Sequence, residues 1–338
     1  MTRKHSISLR VAKVMRITSV IVAAILLSAL TTTVSSSEGS SMWDDARLGV
    51  NGGTVGAIAI SLGNGSNISE TTVIEENFAP VVEVYTATWC VNCIYSENAL
   101  DEAIGDSDAF LIHYHRHKYE ALDPFGSNST EHRWESTYGD ASYAFSEPSN
   151  TRVPPSNIFF GERLHLGMRA SSSSLANDFA TSLATGPSSQ FTGPASFSIS
   201  QTLQGSLQIS WNLSGLELHC MDGGGSCPTI TLSPWVMFIE DSAYYPDGTN
   251  GLDYYHHVLH QAHEFDGLSG TSTLDIPAVW DGEDLSVVLL IDWSYPEESD
   301  SPLPAPSVLA ALASILVAAA SRRQRGLLGY VECLSWVE

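Results

Sequence analysis

Two cysteines separated by two residues, Cys90 and Cys93, are the side chains best suited to chemistry in this sequence. A thiolate is the nucleophile in disulfide exchange, and the unsatisfied N–H groups of a helix's first turn favour its formation. The pair follows an apolar run and opens a segment of helical spacing, so the second sulfur lies one turn from the first and can resolve a mixed disulfide. The pattern predicts a redox-active dithiol or disulfide, with Cys90 attacking and Cys93 resolving.

Two other interpretations of this pair remain open. A structural disulfide uses the same residues, and half of a zinc site is a second alternative, although zinc needs two more soft ligands and there is no second Cys-x-x-Cys motif. Histidines and acidic residues elsewhere offer weaker metal patterns, better explained as polar strand faces and a solvated turn, and no metal is predicted. These patterns are His113, His115 and His117; His256, His257, His260 and His263; and Asp247, Asn250 and Asp253. The sequence also contains no phosphate-binding loop, so no organic cofactor is predicted.

The elements that must position the cysteines form an α/β pattern over residues 73–187. Residues 81–85 read as a buried strand, and residues 93–103 have the apolar spacing of a helix. Further strands are predicted at 109–115, at 156–160 and in the hairpin partner 164–166, followed by a serine-capped helix at 175–183. Strands that alternate with helices indicate a small α/β domain.

From residue 191 to 297 the pattern changes to period two. Leu207, Ile209 and Trp211 alternate with polar residues, and further apolar runs are separated by turn-rich links. This rhythm predicts an antiparallel, immunoglobulin-like β-sandwich. Cys220 and Cys227 bracket a glycine-rich stretch there, and we predict a structural disulfide between them.

The segment Glu83-Val84-Tyr85-Thr86-Ala87-Thr88-Trp89-Cys90-Val91-Asn92-Cys93 resembles the active-site segment of the thioredoxin superfamily. It is most similar to secreted thioredoxin-like proteins of the Omp28 family, which join such a domain to a C-terminal β-sandwich. The stretches Asp123-Pro124-Phe125 and Arg152-Val153-Pro154-Pro155 resemble that family's helix region and proline loop. The resemblance implies a thioredoxin-like domain followed by the sandwich.

The resemblance also implies roles for single residues. Pro154 would be the cis-proline that faces the cysteines, with Pro155 as the competing candidate, and Trp89 and Val153 would contact the substrate chain. Thioredoxins place a buried acid six residues before the first cysteine, where this chain has Val84. Neighbouring Glu83 faces the other side of the strand and is expected to have a structural role.

The two ends of the chain predict export and anchoring. Residues 1–37 have the basic and apolar regions of a signal peptide or signal anchor, and residues 304–321 form an uncharged run followed by an arginine cluster. The order of this tail resembles archaeal surface-sorting signals. We expect a linker at 38–72, with its apolar run at 55–60 as a candidate lead-in strand, and a second linker at 298–303. Residues 304–321 would form a transmembrane or sorting helix and residues 322–338 a cytoplasmic tail. The protein would then be membrane-anchored at the cell surface, with its ectodomain outside.

Two functions agree with these patterns. The first is a thiol–disulfide oxidoreductase that acts on exported protein thiols and disulfides, with a membrane electron donor or acceptor as a further partner. The alternative is a non-enzymatic surface binding or adhesion module, in which both cysteine pairs are structural. The formal net charge of -23 makes nucleic acid an unsuitable partner.

Overall fold

The computed structural model describes residues 43–63, 69–74, 78–117, 123–203, 205–219, 227–281 and 284–296. Three helices lie within these residues: α1 (Val91–Ile104), α2 (Asn128–Phe145) and α3 (Leu175–Thr185). The strands are β1 (Asp44–Asp45), β2 (Gly52–Ser61), β3 (Ser69–Ile74), β4 (Val81–Thr86), β5 (Phe110–His115), β6 (Ser156–Phe159), β7 (Arg163–Leu166), β8 (Phe191–Thr192), β9 (Ala195–Gln201), β10 (Leu207–Asn212), β11 (Glu217–Leu218), β12 (Thr231–Tyr244), β13 (Tyr254–Glu264), β14 (Ser269–Leu274) and β15 (Leu285–Ser294).

One nine-stranded mixed sheet dominates the fold. Its strand order is β1-β7-β6-β4-β5-β13-β12-β15-β2. Strands β4 and β5 are parallel, β6 and β7 continue the sheet antiparallel on one side, and β13 pairs in parallel with β5 on the other. A four-stranded antiparallel sheet, β14-β10-β9-β3, and the short pair β11-β8 complete the described strands.

The predicted fold class, a thioredoxin-like α/β domain followed by a separate immunoglobulin-like sandwich, is wrong. Strands from both predicted segments belong to the same sheet, because β13 hydrogen-bonds with β5 instead of pairing only within a sandwich. The described residues of 43–227 and 232–294 form one compact unit. The segment 38–72, predicted as a linker, supplies β1, β2 and β3. The edge strand of a sheet has unpaired N–H and C=O groups and can pair with any strand of suitable length. Period-two patterning identifies a strand but not its neighbour in the sheet, so the sequence did not predict the pairing of β13 with β5.

The prediction of a membrane-anchored, cell-surface protein with a C-terminal transmembrane helix also has to be corrected. Among the residues that the structure describes, no helix has the length and apolar character needed to cross a bilayer. The stretches on which that prediction was based, 1–37 and 304–321, lie outside the described residues.

The two faces of β4 bury different layers. Val82 and Val84 pack with Leu100 of α1 and Phe179 of α3 in one apolar cluster. Tyr85 packs on the opposite face, in a cluster that also contains residues of α2. This alternation follows from the period-two geometry of a strand. The α1 side of the sheet is therefore the side on which the cysteines lie.

Each helix begins at a residue that caps its first turn. Cys90 precedes α1, Ser127 precedes α2 and Ser174 precedes α3, and each side chain accepts a hydrogen bond from a backbone N–H of the first turn. Ser127 and Thr130 form a reciprocal capping box. A cysteine cap is the unusual member of this set, because Ser, Thr, Asp and Asn are the preferred caps. Its sulfur is thus held against the polar end of α1.

Candidate functional site

The predicted cysteine pair is a disulfide at the start of α1. The Cys90–Cys93 bond measures 2.07 Å between sulfurs, with 5.3 Å between the Cα atoms. The Cys93 N–H donates to Cys90 Sγ at 3.2 Å. Cys90 retains 6% exposure, whereas Cys93 has none. An incoming thiolate therefore approaches Cys90, and Cys93 is the sulfur left behind in the protein.

The loop before the disulfide is fixed at Thr88 from two directions. The Thr88 N–H donates to Asp123 Oδ2 at 2.5 Å. Its carbonyl accepts from the backbone N–H groups of Thr249 and Asn250, at 3.0 and 3.1 Å, and from the Tyr255 hydroxyl at 3.3 Å. A Cβ on Gly248 would overlap the Tyr255 hydroxyl, so the glycine permits this close approach. Residues that follow residue 240 thus hold the loop that carries the cysteines.

We call the hydrogen bonds of Thr88 with Asp123, Thr249, Asn250 and Tyr255 the Thr88 clamp. Asp123 is its side-chain acceptor. Its carboxylate accepts from Thr88 N, from Phe125 N at 3.1 Å and contacts His115 Nδ1 at 3.1 Å. Burial alone would raise the pKa of Asp123, but His115 and the two backbone N–H groups outweigh burial and lower the pKa. The buried carboxylate is therefore kept charged and held by its donors.

We expect Asp123→Asn to destabilise the fold by about 1–3 kcal/mol, because both carboxylate oxygens accept hydrogen bonds and an amide NH2 would face one of the donors. The difference in unfolding free energy between the unaltered protein and Asp123→Asn should shrink in acid. A carboxyl with a depressed folded pKa stabilises above its unfolded pKa and loses that contribution as the pH falls through the folded value. Urea unfolding at neutral and acid pH measures both effects. Exposed Asp247→Asn is the control, and equal losses in the two variants would contradict the clamp.

The proline loop lies next to the disulfide loop, as two contacts indicate. The Arg116 guanidinium lies 5.9 Å from the centre of the Trp89 ring and donates to the Arg152 carbonyl at 3.2 Å. The Asn157 amide on β6 donates to Ser96 Oγ on α1 at 2.8 Å, one helical turn after Cys93. The chain around residues 152–157 is therefore linked to both sides of the cysteine motif.

The cis peptide bond in this loop is Pro154–Pro155, so the assignment of Pro154 as the cis-proline is corrected in favour of Pro155. Pro155 leads directly into β6, and its carbonyl accepts from Gly167 N at 2.8 Å, which extends the ladder between β6 and β7. The Ser156 hydroxyl donates to the Val153 carbonyl. Pro154 and Val153 remain half-buried, and so does Trp89. The catalytic role of Pro154 and the substrate contacts of Trp89 and Val153 stay predictions.

Glu83 lies in a buried polar cluster on the other face of the sheet. It accepts from the Tyr114 and Tyr138 hydroxyls, each at 2.5 Å, and lies 3.4 Å from Arg133 Nη2. Val84 faces α1, where thioredoxins place an acid. The structural role expected for Glu83 agrees with these contacts.

The weaker metal patterns bring no metal site together among the residues that the structure describes. His113 and His115 are buried on β5, and Asn250 uses its side chain to bond Tyr255 and the Ala87 carbonyl. Cys227 is disulfide-bonded, while Cys220, its predicted partner, lies outside the described residues. The Cys220–Cys227 pairing stays a prediction.

The sequence analysis assigned no role to four residues at the site: Glu97, which accepts a hydrogen bond from Thr86 Oγ1, and Arg116, Asp123 and Tyr255. Glu97 had a positional signal, because it lies four residues after Cys93 and thus on the same helix face, and Asp123 belongs to a stretch that carries the family resemblance. The others come from separate elements, and their spacing to the cysteines carries no information. Tertiary structure alone assembles them.

Comparisons with known proteins do not assign a family. No family model and no curated protein matches the chain. Among solved structures, protein AGR_C_4864 from Agrobacterium tumefaciens is similar at 14% identity and a TM-score of 0.36, with 66% of this chain and 97% of that chain covered. HBP35 of Porphyromonas gingivalis is similar at 14% identity and a TM-score of 0.37, with 69% and 81% covered. Likenesses this weak do not establish a common fold or activity, and they lend no support to the resemblance to the thioredoxin superfamily or the Omp28 family.

Proposed function

We propose that this protein exchanges disulfides with polypeptide cysteines through the Cys90–Cys93 pair. The observation that carries the proposal is the disulfide at the first turn of α1, with Cys90 as the capping residue. After reduction, a thiolate on Cys90 lies beside the Cys93 N–H and the positive end of the helix dipole, and both stabilise its negative charge. This raises the fraction of Cys90 that is ionised and able to attack, and it makes Cys90 a better leaving group. Cysteine-bearing exported proteins are the proposed substrates.

The burial difference between the two sulfurs assigns their roles in the exchange. A substrate thiolate attacks Cys90 Sγ, the Cys90–Cys93 bond breaks, and Cys93 leaves as the thiolate. The second substrate thiolate then attacks the substrate sulfur of the mixed disulfide and releases Cys90. The substrate gains one disulfide and the protein is left as a dithiol. The hydrogen bonds at Thr88 hold the loop that carries Cys90 in the disulfide form.

One observation favours a second function, a binding module in which the disulfide is only structural. Both sulfurs are well covered, and Cys93 has no exposure. Exchange then requires the incoming sulfur to enter beside Trp89 and the proline loop. A structural bond and an exchanging bond differ in potential, because structural disulfides have reduction potentials below about −300 mV.

The test is a trapping experiment with the full chain. Reduced Cys93→Ser protein is mixed with a disulfide-bonded model peptide, and mass spectrometry follows the adduct. We expect peptide mapping to place a stable mixed disulfide on Cys90, because the resolving sulfur is missing. The Cys90→Ser, Cys93→Ser control keeps Cys220, Cys227 and Cys333 and measures the adducts that form at those cysteines. Equilibration of the unaltered protein with glutathione buffers should give a potential above about −300 mV. No adduct together with a lower potential would leave the binding module as the function.

A further inference from the structure

The sequence contains Asn-x-Ser/Thr sequons, the acceptor motif for N-linked glycans, at Asn64, Asn67, Asn128 and Asn212. Asn64 and Asn67 lie outside the described residues. A glycan is bulky and belongs on the surface, so a folded acceptor must present both its asparagine and the hydroxyl two residues later. The structure can therefore be used to compare the sequons at Asn128 and Asn212.

The sequon Asn212-Leu213-Ser214 lies at a surface turn. Asn212 is the last residue of β10, and the Leu216 N–H donates to the Leu213 carbonyl at 3.0 Å to close the turn. Asn212 and Ser214 are exposed, whereas Leu213 between them is fully buried and fixes the turn to the core. The Ser214 N–H donates to Asn212 Oδ1 at 3.0 Å, which forms an Asx turn. This hydrogen bond uses the amide oxygen and not the nitrogen to which a glycan is attached.

The sequon at Asn128 is less accessible, because it forms the first turn of α2. Asn128 is exposed, but Thr130, which supplies the hydroxyl of the motif, has only 1% exposure. Thr130 Oγ1 donates to the Ser127 carbonyl and accepts from the Ser127 N–H, both at 3.0 Å. Ser129 Oγ accepts from Ala262 N of β13 at 3.2 Å. The hydroxyl of this sequon is thus engaged in the helix cap.

The surface around Asn212 accommodates a large neutral substituent. Asn212 lies on the outer face of the four-stranded sheet, opposite Ser196 of β9 and Ser269 of β14 in the strand register. Because side chains alternate along a strand, the register also identifies the other residues of β9, β10 and β14 on this face. They are Ser198, Ser200, Gln208, Ser210, Thr271 and Thr273. These side chains are uncharged and at least partly exposed, and they offer hydrogen bonds to sugar hydroxyls.

The cysteines indicate a compartment in which N-linked glycans also occur. Cys90 and Cys93 form a disulfide, and Cys227 is disulfide-bonded as well. Disulfides form and persist mainly in the oxidising environments that exported proteins meet. Sequons of exported proteins are the ones that are used as acceptors.

We propose that Asn212 is the acceptor of an N-linked glycan, with a lipid-linked oligosaccharide phosphate as the donor. The Asn212 amide nitrogen attacks the first sugar carbon, a C–N bond forms, and the bond from that carbon to the phosphate oxygen breaks. The lipid phosphate leaves with the electron pair, and the amide nitrogen loses one proton. The glycan covers the uncharged face of the four-stranded sheet. This inference does not depend on disulfide exchange at Cys90.

The test is glycopeptide mapping by mass spectrometry of the full chain, purified from the cells that naturally make it. We expect sugar on the Asn212 side chain and an occupancy at Asn128 that is about tenfold lower or less. Asn212→Asp, produced in the same cells, keeps the oxygen that accepts from Ser214 N and lacks the amide nitrogen, so it should lose the glycan. Ser214→Ala should lower the occupancy about tenfold or more, because the motif loses its hydroxyl. Ser269→Ala changes a register partner outside the sequon and should keep the glycan.

Two outcomes would overturn the proposal directly. One is an Asn212 peptide without sugar in the natural protein. The other is a sugar mass that persists in both Asn212→Asp and Ser214→Ala, because the sugar then lies on another side chain. Ser214→Thr separates the motif from an effect on folding: it retains a hydroxyl and should retain the glycan. Loss of the glycan in Ser214→Thr as well as in Ser214→Ala contradicts the role of the sequon.

Discussion

A fragment that ends at residue 190 is expected to lack a cooperative unfolding transition, although it contains the complete α/β pattern of the sequence. The apolar cluster between the sheet and α2 is the reason. Seven of its eighteen buried residues follow residue 190: Trp235, Met237, Ile239, Leu259, Ala262, Val288 and Leu290. Burial of a large apolar side chain contributes about 1.5–3 kcal/mol. The missing contacts therefore rival the whole stability of an ordinary domain, which is about 5–15 kcal/mol.

Polar groups that lose their partners would destabilise the fragment further. Without β13 the hydrogen-bonding edge of β5 is open, and without Asn250 and Tyr255 the Thr88 carbonyl loses its partners. Arg133 would stay buried without Asp292. A buried charge without its partner is strongly destabilising, so the fragment loses stability at Arg133 as well as in its apolar cluster.

The measurement is urea unfolding followed by circular dichroism and tryptophan fluorescence. Residues 43–296 serve as the matched control and should unfold in one sharp transition detected alike by both signals. The fragment 43–190 should show a shallow, continuous change. A sharp transition of the fragment, with a midpoint near that of the control, would instead favour two independently folding domains.

The sequence predicted the local elements around the cysteines well. The apolar run at β4 and the helical spacing of α1 lie where the pattern placed them, with boundaries shifted by a few residues. Strands β5, β6 and β10 also coincide with predicted strands. Local hydrophobic period and capping chemistry determine such elements, and both are visible in a single sequence.

Strand pairing was not predictable in the same way. The alternation of β13 shows which side chains are buried, but not that its neighbour is β5. Strand β2 was predicted only as a candidate lead-in strand at 55–60, because the small residues of 38–72 resemble a linker. A Cβ on Gly53 would meet Glu162 and the Phe160 carbonyl, and one on Gly56 would meet Phe78. These glycines allow close packing, and composition alone does not distinguish that use from flexibility.

Asp292→Asn is expected to cost about 3–5 kcal/mol of stability, because it leaves two buried guanidinium groups with one carboxylate. Asp292 Oδ1 lies 2.8 Å from Arg47 Nη2 and accepts from Thr54 Oγ1 at 3.0 Å, and Oδ2 lies 2.9 Å from Arg133 Nη2. Arg133 also contacts Glu83, so two acids balance two cations. This cluster joins the segment before β2, β4, α2 and β15, which the sequence divided among three parts of the chain.

The pKa of Asp292 determines how the stability difference between the unaltered protein and Asp292→Asn depends on pH. Burial alone would raise the pKa of Asp292, but the Arg133 and Arg47 guanidinium groups outweigh it and lower the pKa. A carboxyl with a lowered folded pKa contributes stability above its unfolded pKa of about 3.9 and loses that contribution as the pH falls through the folded value. The difference between the unaltered protein and Asp292→Asn should therefore be largest near neutral pH and should narrow in acid.

Urea unfolding at both ends of this pH range supplies the measurement, and Asp275→Asn is the matched control. Asp275 is exposed and accepts one hydrogen bond, from Ser206 Oγ at 2.7 Å, so its replacement should change stability by no more than about 0.5 kcal/mol. Adding Arg47→Met to Asp292→Asn removes one uncompensated cation and should recover part of the loss, since Arg47 has its charged partner in Asp292. If the second change only adds to the first, charge balance is not what stabilises the cluster, and packing around Arg133 must account for the cost instead.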